Sequence, residues 1–340
     1  MSIDDLVRPH LLGPLISQAT GDDRWMKLSA RLITGGKSNL TFEISSEAGA
    51  LILRRPPSGE LISSAHDMGR EVRIQRSLAG SLVPVPKIIL YESTGDVLGV
   101  PFYLMEKIEG HIIGNDVPFG YAELPAEKLL IANALVDVLV NLHAIDPAAV
   151  NLGDYGRPEG YLERQMRRWN SQWEKLKTTE VRAIDELSRR LTTHLPSSNR
   201  ASIIHGDYRL DNCIMDFYNP ASVTGVLDWE LSTLGDPLSD LGLMLFYWRE
   251  PGEYVPLLIP SVTKSAGFPK KLHIAERYVE LTGAPMDDVD FYVAFAHFKF
   301  AVIAQGILVR VDSDTMAGQS FGDLEVEVKM IAEEGLAGLS

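Results

Sequence analysis

Between Leu28 and Arg54 three apolar, β-prone runs, LSARLIT, LTFEIS and ALILR, are separated by the turn-rich breaks GGKSN and SEAGA, a pattern that predicts an antiparallel sheet. Beyond RRPPSGE, apolar residues including Met68, Val72 and Leu78 recur at helical spacing, which predicts a helix over 63–78 packed on that sheet. Two further strand-like runs follow, KIILYE and VPFYLMEKI, and the second runs out into Glu109-Gly110 and Gly114-Asn115, a natural boundary between lobes. From there the period changes. The segments 127–145 and 161–176 are helical, and the chain stays helix-rich to its end except for an island of short runs, SIIHGD, NCIMDF and SVTGVLDW, too short for helices. A small β-platform inside a helical lobe is where chemistry is expected.

At 340 residues the chain exceeds one simple core, and a prior of roughly 150 residues per domain predicts two. The expected division is 1–107 and 108–340. A net charge of −14 argues against a broad nucleic-acid-binding surface, which needs cations to replace counterions. The single Cys excludes an internal disulfide, and the opening MSIDDLVRPH lacks the basic and apolar regions of a secretory signal, so a cytoplasmic location is expected. The most apolar stretch, from Phe291 to Val309, carries His297, Lys299 and Gln305; it predicts a buried helix or a subunit interface, as in a homodimer, and no membrane span. No zinc-type Cys/His spacing and no GxSxG elbow occur.

The segment His205-Gly-Asp-Tyr-Arg-Leu-Asp-Asn212 is followed sixteen residues later by Asp228 in GVLDWE. Phosphoryl transfer asks for a carboxylate to orient and deprotonate the attacking hydroxyl, and for oxygen ligands to the magnesium on the phosphates. Asp207, Asn212 and Asp228 supply that set. Each alone could merely cap a turn or end a hairpin. The combination HGDxxxxN plus a strand ending in Asp resembles the aminoglycoside phosphotransferase and choline kinase group, relatives of the protein kinases. The resemblance implies an α+β, bilobal kinase-like fold binding ATP and Mg2+ between its lobes. It makes Asp207 the base and Asn212 and Asp228 the metal ligands.

The same resemblance covers the amino-terminal region. Thr34-Gly-Gly-Lys-Ser-Asn39, alone an ordinary hairpin turn, matches the loop that positions the nucleotide, with Gly35, Gly36 and Ser38 near the phosphates. Arg54 stands where many relatives carry the phosphate-binding Lys, with Glu71 as its partner on the following helix. Arg keeps the charge but differs in shape, and Arg55 could serve instead, because strand alternation turns only one of the two neighbours toward the cleft. Glu106 and Ile108 match the hinge that binds adenine through main-chain groups, with Met105 at the back of the pocket. In GDPLSDLG, Asp236 and Asp240 are expected to cap a helix and orient the HGD loop, and the shortness of this segment leaves no room for a protein kinase's activation segment.

A small-molecule hydroxyl acceptor is therefore implied. LILRRPP, MGREVRIQRSL and the two catalytic segments look most like the kinase-like domains fused to acyl-CoA dehydrogenases, a branch linked to phosphorylating hydroxyacyl-CoA thioesters. Such an anionic acceptor calls for cations, and Arg164 and Arg168 share one face of the helix 161–176, although that stretch also reads as a solvated basic face with Trp169 and Trp173 on the core. An aminoglycoside or amino-alcohol acceptor and a catalytically silent nucleotide-binding scaffold are the alternatives.

Overall fold

A computed structural model describes residues 2–33, 39–57, 67–178, 180–197, 200–312 and 323–339. The chain divides into two compact units, 1–110 with 224–232, and 111–223 with 233–340.

The first unit opens with α1 (Ile3–Val7) and α2 (Pro9–Thr20) and continues into β1 (Ser29–Ile33), β2 (Leu40–Ser46) and β3 (Gly49–Arg55). Then come α3 (Met68–Leu78), β4 (Ile88–Glu92) and β5 (Phe102–Glu106). The five strands form an antiparallel sheet in the order β1-β2-β3-β5-β4. The helices α1 and α2 are absent from the sequence reading, since they are short and carry Pro9, Gly13 and Pro14. They cover one sheet face, where Val7, Leu12 and Ile16 pack with Leu51, Leu53, Phe102 and Leu104. The opposite face holds Ile52, Tyr103 and Met105 against Met68 and Val72 of α3. Side-chain alternation therefore assigns Arg54 to the α3 face with Ile52, and Arg55 to the α1–α2 face with Leu53.

The second unit contains β6 (His111–Ile112), α4 (Pro125–Ala144), α5 (Tyr161–Leu176), α6 (Arg182–Thr193), β7 (Ser202–Ile204) and β8 (Cys213–Met215). The chain then runs through β9 (Val223–Val226) into residues 224–232 of the first unit. It continues with β10 (Thr233–Gly235), α7 (Leu238–Tyr247), α8 (Lys271–Thr282), α9 (Val289–Asp312) and α10 (Leu324–Ala337). β7 pairs with β10 and β6 with β8, both antiparallel.

α9 is the axis of this unit, packing against α5, α6, α7 and α10. It is long and apolar enough to cross a membrane, yet 72% of its most apolar window is buried inside the protein, as a core helix requires. α7 approaches it closely at Gly242, where a Cβ would lie 2.5 Å from the Tyr292 carbonyl carbon. Any larger residue at that position would push the two helices apart.

Candidate active site

In the second unit the HGD segment leaves β7 and turns at Gly206, whose φ of 84° lies in the left-handed region that glycine enters without penalty. Two backbone amides of this turn converge on one carboxylate. His205 N–H donates to Asp240 Oδ2 at 2.6 Å and Gly206 N–H to Oδ1 at 2.8 Å. Asp240 sits in the first turn of α7, is 1% exposed, and also meets His143 Nε2 at 3.3 Å. Burial alone would raise its pKa, but His143 and the His205 amide outweigh that and hold it below the usual carboxylate value. Asp236 accepts from the Leu238 amide at 3.0 Å and from Tyr292 Oη at 2.6 Å, which caps α7 and ties it to α9.

The turn presents Asp207. Tyr247 Oη donates to its Oδ1 at 3.1 Å and Asn212 Nδ2 to its Oδ2, also at 3.1 Å. Asn212 Nδ2 further bonds the Asp207 carbonyl at 2.8 Å, so both amide protons are spent on Asp207 and the Asn212 Oδ1 makes no hydrogen bond among the described residues. Arg209 Nε stands 3.4 Å from Asp207 Oδ2 and 3.3 Å from Asp211, with its guanidinium over the Tyr247 ring. Burial and Asp207 keep Tyr247 protonated far beyond neutral pH, so it remains a donor. Cys213, next to Asn212, is fully buried and its thiol is pushed up to about 12, an inert small apolar residue.

In the first unit Asp228, two residues past the end of β9, has φ 65°, a left-handed conformation that Asp tolerates. Arg54 Nη2 bonds its Oδ1 at 2.9 Å, Arg54 Nε lies 3.2 Å from Glu71 Oε2, and Glu230 is 3.8 Å away. Asn39 Nδ2 bridges Glu71 at 3.1 Å and Glu230 at 3.0 Å, while Tyr103 Oη donates to Glu71 at 2.7 Å. Glu71 is 1% exposed, and its burial raises its pKa despite Arg54 and Tyr103. Burial opposes the Arg54 charge as well, but its surroundings more than compensate and raise its pKa. Since Tyr103 is itself held neutral by burial, the carboxylates of Glu71, Asp228 and Glu230 supply that compensation at physiological pH.

Arg55, by contrast, donates to the Leu6 carbonyl at 2.6 Å and the Pro56 carbonyl at 3.2 Å, on the other face of the sheet. Met105 is buried beside α3, the Glu106 amide bonds the Lys87 carbonyl at 2.9 Å, and the Ile108 amide engages nothing among the described residues. Gly35, Gly36 and Ser38 lie outside the described residues. Arg164 is turned onto the carbonyls of Arg157 and Glu159 in the loop before α5, whereas Arg168 stays exposed against Trp169. Trp173 is buried and bonds Asp185. The sequence reading missed Tyr247, Arg209, Glu230 and Tyr103 around these groups. Glu230 stood two residues past Asp228, but no motif marks Tyr247, forty residues from Asp207.

An antiparallel sheet with one helix on its Arg54 face, and an HGD turn pinned in a helical unit, define the α+β fold of the kinase-like phosphotransferases. The profile of the phosphotransferase enzyme family matches residues 29–258, and the chain belongs to that family. Acyl-CoA dehydrogenase family member 10 of Mus musculus is 36% identical over 313 residues, 90% of this chain but 28% of that protein. The chain thus spans well under half the length of such curated relatives, 28%, 39% and 42% in three of them. A Ralstonia eutropha JMP134 chain, provisionally described as an aminoglycoside phosphotransferase, superimposes with a TM-score of 0.82 at 32% identity over 97% of both chains. The GDP and kanamycin complex of an aminoglycoside phosphotransferase shares the fold, with a TM-score of 0.67 and 17% identity over 96% of this chain and 99% of that one.

Proposed function

We propose that this chain transfers the γ-phosphoryl group of ATP to a hydroxyl of a small molecule, with Asp207 as the base. The observation that carries this is the placement of Asp207 on a turn held by Asp240, with Tyr247 and Asn212 fixing its two oxygens. In the reaction the acceptor hydroxyl gives its proton to Asp207 and its oxygen bonds to phosphorus, while the bond from phosphorus to the bridging oxygen breaks and ADP leaves. A carboxylate fixed in orientation contributes mainly by alignment.

Arg54, braced by Glu71, is the proposed phosphate-binding cation, with Gly35, Gly36 and Ser38 of the GGKSN segment proposed beside it. Met105, Glu106 and Ile108 are the proposed adenine-binding segment, and the unengaged Ile108 amide suits that use. Asn212 and Asp228 are the proposed magnesium ligands. Their donors, one amide oxygen without a hydrogen bond among the described residues and one carboxylate, are the hard oxygens Mg2+ prefers, and phosphate oxygens and water would complete the shell. The ion would neutralise charge on the transferred phosphate. Nucleotide use is supported by a fold neighbour solved with GDP. The family of the acyl-CoA dehydrogenase-linked relatives favours an anionic hydroxylated acceptor, such as a hydroxyacyl-CoA, over aminoglycosides.

The test is a screen of hydroxylated metabolites, hydroxyacyl-CoA thioesters and kanamycin for ADP release, with Asp207→Asn as control. Expected are turnover with hydroxyacyl-CoA esters, none with kanamycin, and loss of roughly a hundredfold or more in kcat in the variant with ATP binding intact. Near-wild-type turnover by Asp207→Asn would remove the assignment of the base.

A further inference from the structure

α9 carries three polar residues within its apolar length, and two of them have evident structural partners. His297 Nδ1 bonds the Val293 carbonyl at 2.8 Å with Nε2 3.4 Å from Glu334, and Gln305 Nε2 donates to Leu176 O and Thr178 Oγ1 at 3.2 Å each. Lys299 is different. Its Nζ makes one long hydrogen bond, 3.4 Å to the Gly206 carbonyl, and no carboxylate lies within ion-pair distance among the described residues. Burial pulls its pKa down, while Asp207 and Asp240 pull it back up.

Beside it stands a second donor in want of an acceptor. Lys299 Nζ stands over the Trp169 ring of α5, 5.8 Å from its centroid, and the ring's Nε1–H is buried without a partner among the described residues. Arg168 packs its guanidinium on the same ring at 5.5 Å. A buried indole N–H without an acceptor is costly, and an ammonium left with one long hydrogen bond is under-satisfied. Together they offer two donors that the oxygen of a bound ligand could accept from. Its position is informative, because Gly206 immediately precedes Asp207 and successive Cα atoms are about 3.8 Å apart. A ligand oxygen held at Lys299 would thus lie only a few bonds from a hydroxyl presented to the base.

We propose that Lys299 and Trp169 bind the acyl oxygen of a hydroxylated carboxylic acid or of its thioester, and so select the acceptor and align its hydroxyl with Asp207. The inference rests on the kinase reading for the role of Asp207, but the binding it predicts needs neither ATP nor turnover. Arg164, folded back on its own loop, takes no part; Arg168, packed on the Trp169 ring, adds positive charge nearby.

The experiment follows the indole N–H signals of the five tryptophans in 15N-labelled full chain, with that of Trp169 identified by its loss in Trp169→Phe. The probes are ω-hydroxycarboxylates of increasing length, their coenzyme A thioesters, the matched diols, and Mg-ATP alone. The Trp169 signal should move with hydroxycarboxylates or thioesters, whichever arm responds naming the source of the acyl oxygen, and stay still with diols and Mg-ATP. Lys299→Met should abolish the movement and raise the acceptor KM about tenfold to a hundredfold, the loss expected for a charge-assisted hydrogen bond, while the ATP KM is unchanged and Lys299→Arg restores part of the effect. A Trp169 signal that answers to Mg-ATP or to diols as well as to acids, or that still moves in Lys299→Met, overturns the proposal. If the signal behaves as expected and no acceptor is turned over, the kinase reading fails and this site stands; unchanged acceptor KM in Lys299→Met with inactive Asp207→Asn gives the reverse.

Discussion

Replacing Arg54 by Met keeps most of the side chain's length and apolar stem but removes the cation that faces three carboxylates. The side chain of Arg54 is 11% exposed and that of Glu71 only 1%, so solvent cannot take over the neutralisation of Glu71. Breaking such a pair from one side leaves a buried charge without compensation, at a cost of about 3–5 kcal/mol. Against a typical total stability of about 5–15 kcal/mol this is a large share. The loss should depend on pH in a definite direction. The folded-state pKa of Glu71 already lies above its ordinary value because of burial, and Arg54 is the main influence restraining it. Without Arg54 it rises further, and a group with a raised folded-state pKa favours folding below its unfolded pKa and loses that contribution as pH climbs through the folded one. The deficit of Arg54→Met relative to wild type should therefore be largest near pH 8 and shrink toward pH 5. Urea unfolding at both pH values measures it, and hydrogen exchange over Met68–Leu78 should place the loosening in α3. In a double-mutant cycle, Arg54→Met and Glu71→Gln should be strongly non-additive, since the second change removes the charge stranded by the first. Additive losses, or a deficit independent of pH, would refute this account of the Arg54 cluster.

Asp228→Ala should remove the magnesium-dependent part of nucleotide affinity, read by titration calorimetry with and without the ion; undiminished Mg-ATP binding would reject Asp228 as ligand. Glu334→Gln should cost about 2–3 kcal/mol at pH 7, because Glu334 accepts two 2.7 Å contacts from Arg249, whose side chain is fully buried. Glu334 is itself held down to about 2, so its contribution is present above pH 4.5 and fades as pH falls toward 2; the gap between variant and wild type should narrow over that window in acid unfolding.

The β1–β5 sheet, α3 and the helical run beyond residue 110 were legible because period two and period 3.6 are written directly in the apolar residues. Which of Arg54 and Arg55 meets Glu71 was not, since alternation separates two neighbours without naming the face each takes. Only the packing of α1 and α2 against Leu53 and Phe102 decides it, and those helices left no readable period. Asp240 was legible as the residue orienting the HGD turn because GDPxxD travels with HGDxxxxN. Tyr247 and Lys299 were not, because each reaches the Asp207 turn from a helix whose own pattern records only burial. A polar residue in an apolar helix announces that it needs a partner, and only the fold says which.

Asp240 also bears on how such a chain can change over evolutionary time. Because its two oxygens hold consecutive amides of the turn, the position of Asp207 is inherited from α7 and from the β7–β10 pair, not from α5 or from the loops that precede it. The Asp207 turn is thereby held independently of α5 and the loop before it. Substitutions along the outer face of α5, or length changes in the loop before it, can redraw that surface without realigning Asp207, the proposed base. A lineage built this way can exchange substrates while keeping its reaction.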